Sequence, residues 1–266
     1  MVKKSAGNFS LDKDYLDCVD DSGNCFIVYS AKIRFFLFTI DYASFIFSDQ
    51  FDHLTEQATF HKSIVSTNSG LVKVSNKHLK INASWEKAKE PFQSLLYSNS
   101  HGIVNWNCHH PIAHCDITYN NNRTFSGLGY AETLYLSIKP WELPIEDLNW
   151  GRFLTPGIAI TWIRWTGRNP INKIYLNGKE FNDAQYLDDK IIFNEGKDVL
   201  SFSDPTIICE GKFSRHLSKI PLLKLFINKA FLKSTEFKYK SKTTYNSVFG
   251  TVYHGWSIFE IVKWKH

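Results

Sequence analysis

The chain has 266 residues, 43% hydrophobic and 15% aromatic, which suits one large all-β domain or two ordinary ones. Its net charge is +5 with histidine neutral, but the basic residues form no aromatic-lined platform, so a nucleic-acid-binding module is excluded. Five cysteines are too few and too odd for a disulfide framework, and no apolar run reaches the length of a membrane span.

Trp 8, Tyr 12 and Phe 21 against Met 1 lean the composition towards strands. Residues 1–22 read as polar and irregular, and Met1 to Asn8 has a basic start without an apolar run, so no signal peptide is expected. Cys25 to Phe47 reads as two strands or one long bent strand, and Ser48 to His61 as a polar connection. Short strands follow at Ile64–Thr67, Leu71–Val74, His78–Trp85 and Phe92–Tyr97, separated by turn signals such as Asn68-Ser69-Gly70. Further strands read at Ile103–Cys108, Ile112–Tyr119, Leu128–Ile138, Gly157–Trp165 and Ile171–Leu176, with a corner at Pro111 and a tight turn at Asn177-Gly178. One helix is expected over 214–230, where Leu217, Ile220 and Leu223 to Ile227 fall at helical spacing and Pro221 starts or kinks it. The last strand is Val252–Trp264. The lysines at 229, 233, 238, 240, 242, 263 and 265 read as a solvated face, with contact to an anionic membrane surface as the alternative.

Two glutamates sit on strand faces that should be apolar. Leu128, Tyr130, Glu132, Leu134 and Leu136 alternate onto one face, as do His254, Trp256, Ile258, Glu260 and Val262. A buried carboxylate either finds a partner or holds a proton. Gly127 and Gly129 allow close backbone approach beside Glu132. Trp150-Gly151-Arg152-Phe153 and Trp162-Ile163-Arg164-Trp165 set arginines among large rings, and Trp106-Asn107-Cys108-His109-His110 adds imidazoles. If these strands line one cavity, Glu132, Glu260, His110, His254 and Arg152 are its acid–base groups. Trp106, Tyr130, Trp150, Trp162, Arg164 and Trp256 are then its substrate wall. The structural alternatives are ion pairs of Glu132 with Arg152 or Arg164, and of Glu260 with a lysine at a barrel rim. The Cys108-x6-Cys115 spacing, with its flanking histidines, matches no usual ligand pattern, so no metal is expected.

The order Trp106-x-Cys108-x-x-Pro111, Gly129-Tyr130-Ala131-Glu132, Pro140-Trp141-x-Leu143-Pro144, Trp150-Gly151-Arg152-Phe153 and His254 to Glu260 resembles the lipocalin-like proteins around carotenoid 1,2-hydratase. The resemblance spans roughly residues 100–266. It implies an all-β, lipocalin-like double β-barrel or sandwich with the one late helix. The chain then forms a single unit over 1–266, with barrel halves at about 23–145 and 146–266 as its internal division. Members of that superfamily include carotenoid hydratases and Diels–Alder-type cyclases. The hydratases carry an aromatic–His–Asp–His run where this chain has Tyr130-Ala131-Glu132, so the resemblance implies a sister branch whose acid falls on Glu132.

The expected function is a cofactor-free lyase or isomerase, of hydratase or cyclase type, acting on a terpenoid-, carotenoid- or polyketide-like molecule. A non-catalytic carrier of a hydrophobic ligand is the alternative, and a scaffold with a filled barrel is a third reading. The expected partner is a hydrophobic small molecule, without nucleic acid, and the oligomeric state is left open. The expected location is the cytoplasm, with membrane association as the alternative.

Overall fold

The computed structural model describes residues 8–120, 122–212 and 227–265. The chain forms two compact units, Met1–Pro140 and Trp141–His266. Each unit holds one antiparallel sheet, and among the described residues the helical elements are short 3-10 turns such as Pro140–Glu142 and Phe231–Lys233. No helix among them is long and apolar enough to cross a membrane. The helix expected over 214–230 falls, for residues 214–226, outside the described residues.

The first unit contains β1 (Phe9–Val19), β2 (Cys25–Phe35), β3 (Phe38–Ser48), β4 (Leu54–Thr59) and β5 (Ile64–Asn68). It continues with β6 (Leu71–Asn76), β7 (Ile81–Lys87), β8 (Phe92–Asn99), β9 (Gly102–Tyr119) and β10 (Arg123–Leu136). The sheet order is β4-β3-β2-β1-β10-β9-β7-β6-β5, with β8 beside one end of β9. The sheet wraps an aromatic core in which Phe26 stacks on Phe45 at 5.2 Å and packs against Tyr119 at 5.1 Å.

Three sequence expectations are corrected here. Residues 9–19 are not irregular: they form β1, the central strand that joins the two arms of the sheet. The four charges among its 11 residues hide a strand whose Leu16 and Cys18 face the core while Tyr15 and Asp17 face the other way. The polar connection contains the edge strand β4, whose exposed side chains suit an edge. Pro111 is not a corner. β9 runs on through it for 18 residues, absorbing the break as register shifts opposite Gly129, Ala131 and Glu132.

The second unit contains β11 (Asp147–Leu154), β12 (Ala159–Trp165), β13 (Ile171–Leu176), β14 (Lys179–Phe181) and β15 (Gln185–Tyr186). Then come β16 (Lys190–Phe193), β17 (Asp198–Lys212), β18 (Thr235–Asn246) and β19 (Val252–Lys263). Their order is β14-β13-β12-β11-β19-β18-β17-β16-β15. Asn177 and Gly178 both adopt positive φ, 49° and 85°, and turn β13 tightly into β14. Phe153, Trp162, Phe193 and Tyr245 anchor this core.

The two sheets share one plan. In each, a four-strand meander and a second meander meet where the first strand of the unit pairs with its last. β1 lies against β10 with Tyr15 opposite Glu132, and β11 lies against β19 with Trp150 opposite Glu260. The two glutamates therefore occupy equivalent strands of a topological repeat that the residues themselves do not repeat.

Candidate functional site

Glu132 sits mid-sheet, with Tyr15 of β1 on one side and Cys108 of β9 on the other. Gly129 makes this approach possible: a Cβ there would lie 2.0 Å from the Asp17 carbonyl oxygen and 2.5 Å from Cys115 Sγ. The same Asp17 carbonyl accepts a hydrogen bond from Trp85 Nε1 at 2.7 Å, which pins β1 in place. Glu132 is 8% exposed. One of its oxygens, Oε2, accepts the Tyr130 hydroxyl at 2.7 Å and the Trp106 indole N–H. No lysine or arginine forms an ion pair with it among the described residues.

Burial raises the Glu132 pKa from 4.5 to about 7; the bonds from Tyr130 and Trp106 and the charge of Lys13 oppose this, and the nearby Asp17 adds to it. Burial likewise pushes the Tyr130 phenol and the Cys108 thiol well above their ordinary values, so both keep their protons at neutral pH. That leaves Cys108 without the thiolate a nucleophile needs. Asp17 is fully buried opposite Tyr130 and accepts the Tyr15 hydroxyl at 2.8 Å. Tyr15 and Asp17 were not singled out from the sequence, because their strand was not recognised.

Glu260 follows the other course. It is in register with Lys238 of β18, whose side chain is 0% exposed. The Lys238 ammonium is ion-paired with Glu260 and, at 3.0 Å, with Glu236. The reading of the lysines as a solvated face holds for Lys229, Lys233, Lys242, Lys263 and Lys265, which are exposed, and is corrected for Lys238 and Lys240: both are buried, because β18 turns them to the side that carries Glu260. Nor does the lysine partner of Glu260 stand at a rim. Arg152 is fully buried, and its Nη1 donates to the Trp256 carbonyl at 2.7 Å, clasping β11 to β19. Trp150 is buried opposite Glu260, and the Trp256 ring lies 5.9 Å from the Lys242 ammonium. His254 is exposed, with Nδ1 at 3.2 Å from Thr244 Oγ1.

His110 pairs opposite Ala131, one residue out of step with the Glu132 face, because of the β9 bulge. It is buried, and both its ring nitrogens lack a hydrogen-bond partner among the described residues. Its neighbour His109 bonds Thr133 Oγ1 at 2.8 Å, and Thr133 donates onward to Asp14 at 2.7 Å. Burial raises Asp14 and lowers His109. Thus Glu132, Tyr130 and Trp106 come together in the first unit, with His110 one step away along β9. Glu260, Arg152, Trp150, Trp256 and His254 belong to the second unit, as do Trp162 and Arg164.

Those last two line a cleft of about 390 Å³ built wholly from the second unit. Trp162, Phe202 and Phe259 form its apolar wall, with ring centroids 5.1–6.4 Å apart. The Arg164 guanidinium lies 5.1 Å from the centre of the Tyr186 ring.

No protein-family model matches the sequence, and no curated protein matches it by sequence. Solved structures do match. CghA, crystallised with Sch210972, superposes with a TM-score of 0.60 at 10% identity, covering 97% of this chain and 89% of its own. An AttH-like protein of Nitrosomonas europaea gives 0.61 at 10% identity, covering 98% and 94%. Kievitone hydratase of Nectria haematococca gives 0.56 at 8% identity, covering 97% and 90%.

The chain shares their fold. The likeness covers both units, so it extends over the first hundred residues that the motif resemblance left out. At this identity the shared fold fixes the arrangement of strands and leaves the chemistry to the side chains.

Proposed function

We propose that this protein is a cofactor-free lyase or isomerase, of hydratase or cyclase type, with Glu132 as its general acid. On this reading each unit is one half of a lipocalin-like double barrel, and the substrate is a hydrophobic terpenoid-, carotenoid- or polyketide-like molecule. The observation that carries it is a buried carboxyl with two neutral donors, no ion-paired cation among the described residues, and a pKa of about 7. Protonated Glu132 delivers its proton to a double-bond carbon or a leaving hydroxyl. The carboxylate left behind keeps the hydrogen bonds from Trp106 and Tyr130 and takes a proton back when the intermediate collapses. The rings of Trp106 and Tyr130 stabilise positive charge that develops on the substrate. Glu260, bound to Lys238, is assigned no proton transfer. Two fold relatives support the small-molecule reading: one is named a hydratase and another was crystallised with Sch210972.

Organic extraction of the purified protein, followed by mass spectrometry, supplies the compound to test. Incubated in deuterated water, wild type is expected to convert it with deuterium incorporation, and Glu132→Gln to bind it without turnover. Full turnover by Glu132→Gln refutes the reading. A ligand held unchanged by both proteins with equal affinity establishes the second reading, a carrier, which the cleft of the second unit favours.

A further inference from the structure

The cleft of the second unit contains polar groups that the fold does not use. Trp162 Nε1 donates to Asn149 Oδ1 at 2.8 Å, and an indole N–H can only donate, so the Asn149 amide nitrogen is the free end of that side chain. Asn149 and Trp162 both line the cleft. Tyr186, also on the cleft wall, has a buried hydroxyl without a hydrogen-bond partner among the described residues. Arg164 is half-buried, stacks on that same ring, and makes no ion pair among the described residues. The two acids on the wall, Asp147 and Asp188, are exposed and therefore screened by water, as is Lys263.

The Tyr186 hydroxyl costs stability in an empty protein. A buried hydroxyl without a partner is uncommon in folded chains. A planar guanidinium, an amide N–H and a phenol O–H lining one cleft suit a carboxylate, whose two oxygens accept several donors at once. Trp162, Phe202, Phe259 and Ile191, which line the same cleft, suit an apolar body. The volume is that of a small-molecule site.

We infer that the second unit is itself a binding site for an apolar carboxylic acid, held by Arg164, Asn149 and Tyr186 with its body against Trp162 and Phe259. The site uses none of the residues assigned to proton transfer, and it does not depend on Glu132 being catalytic. It makes the chain a protein with an anion-selective pocket in one unit and a proton-exchanging carboxyl in the other.

Calorimetric titration of the full-length protein with decanoate and with decanol tests this, since the two probes share a tail and differ in charge. Decanoate is expected to bind at least about tenfold more tightly than decanol. Arg164→Gln is expected to abolish that preference, Tyr186→Phe to reduce it, and Glu132→Gln to leave it unchanged. Nuclear Overhauser contacts between bound decanoate and the Trp162 and Phe259 rings are expected in wild type, and they locate the site without any substitution. Equal binding of the two probes, absence of binding, contacts to other rings, or a preference that survives in Arg164→Gln each overturn the inference.

Discussion

Replacing Glu132 by glutamine should change the pH dependence of stability by an amount the burial of this one side chain fixes. The folded carboxyl titrates near 7 and the unfolded one near 4.5. Below pH 4.5 both states are protonated, and the stabilisation that comes from holding this proton is fully present. As pH rises from there towards 7, the unfolded chain has released the proton while the folded chain keeps it. Stability therefore falls through that window by about 1.4 kcal/mol per pH unit, a total of roughly 3 kcal/mol, and falls no further once the folded group has titrated. Glutamine is neutral throughout and contributes no such slope. All other titrating groups are common to both proteins and cancel in the difference. Urea denaturation followed by tryptophan fluorescence, at constant ionic strength from pH 4.5 to 8, gives that difference directly. Glu132→Gln should gain about 3 kcal/mol relative to wild type across the range. A constant offset between the two curves would mean that the folded carboxyl titrates normally and would remove the basis for its role as an acid.

Lys238→Met should cost about 3–5 kcal/mol in the same denaturation assay, because it strands Glu236 and Glu260 beside a buried site without their cation. Adding Glu260→Leu to that variant should recover part of the loss, and a cost below about 1 kcal/mol would show that the ion pair is solvated. Gly151→Ala places a Cβ 2.2 Å from the Trp162 ring and 2.6 Å from Phe259 Cβ. It should cost about 1–3 kcal/mol and weaken decanoate binding by displacing the ring on which the ligand lies, with calorimetry reading the second effect. Retained stability and retained affinity together would show that this wall yields freely.

The β class of the fold and the phase of its two acidic strands were legible in the residues. Period-two alternation put Tyr130 and Glu132 on one face, and the two side chains are indeed joined by a hydrogen bond. The fates of the two glutamates were not legible, since each is decided by a partner that only register brings near. Lys238 lies 22 residues from Glu260 in sequence, inside a run of lysines that resembles any solvated strand. Tyr15 and Asp17 lie more than a hundred residues before Glu132, in a segment whose charges masked its alternation. The β9 bulge was hidden for a different reason. Proline ordinarily ends a ladder, and here the strand accommodates it by slipping register, which moves His110 off the face that Trp106 and Cys108 share. Tyr186 and Asn149 had no signal of their own, because a strand of two residues and a lone amide become recognisable only when a cavity forms between them.

Pairing the first strand of a unit with its last has a consequence for how the chain is made. Leu11 meets Leu136, so β1 leaves the ribosome about 125 residues before its second neighbour exists. At about 5–20 residues per second this is a wait of roughly 6–25 s, during which β2 protects one side of β1 and the other side stays open. A central strand of the finished sheet is thus an exposed edge throughout the synthesis of its unit. The alternating charges of β1, Asp12, Lys13, Asp14 and Asp17, which obscured it as a strand, are the kind of side chains that keep such an edge from pairing with another nascent chain.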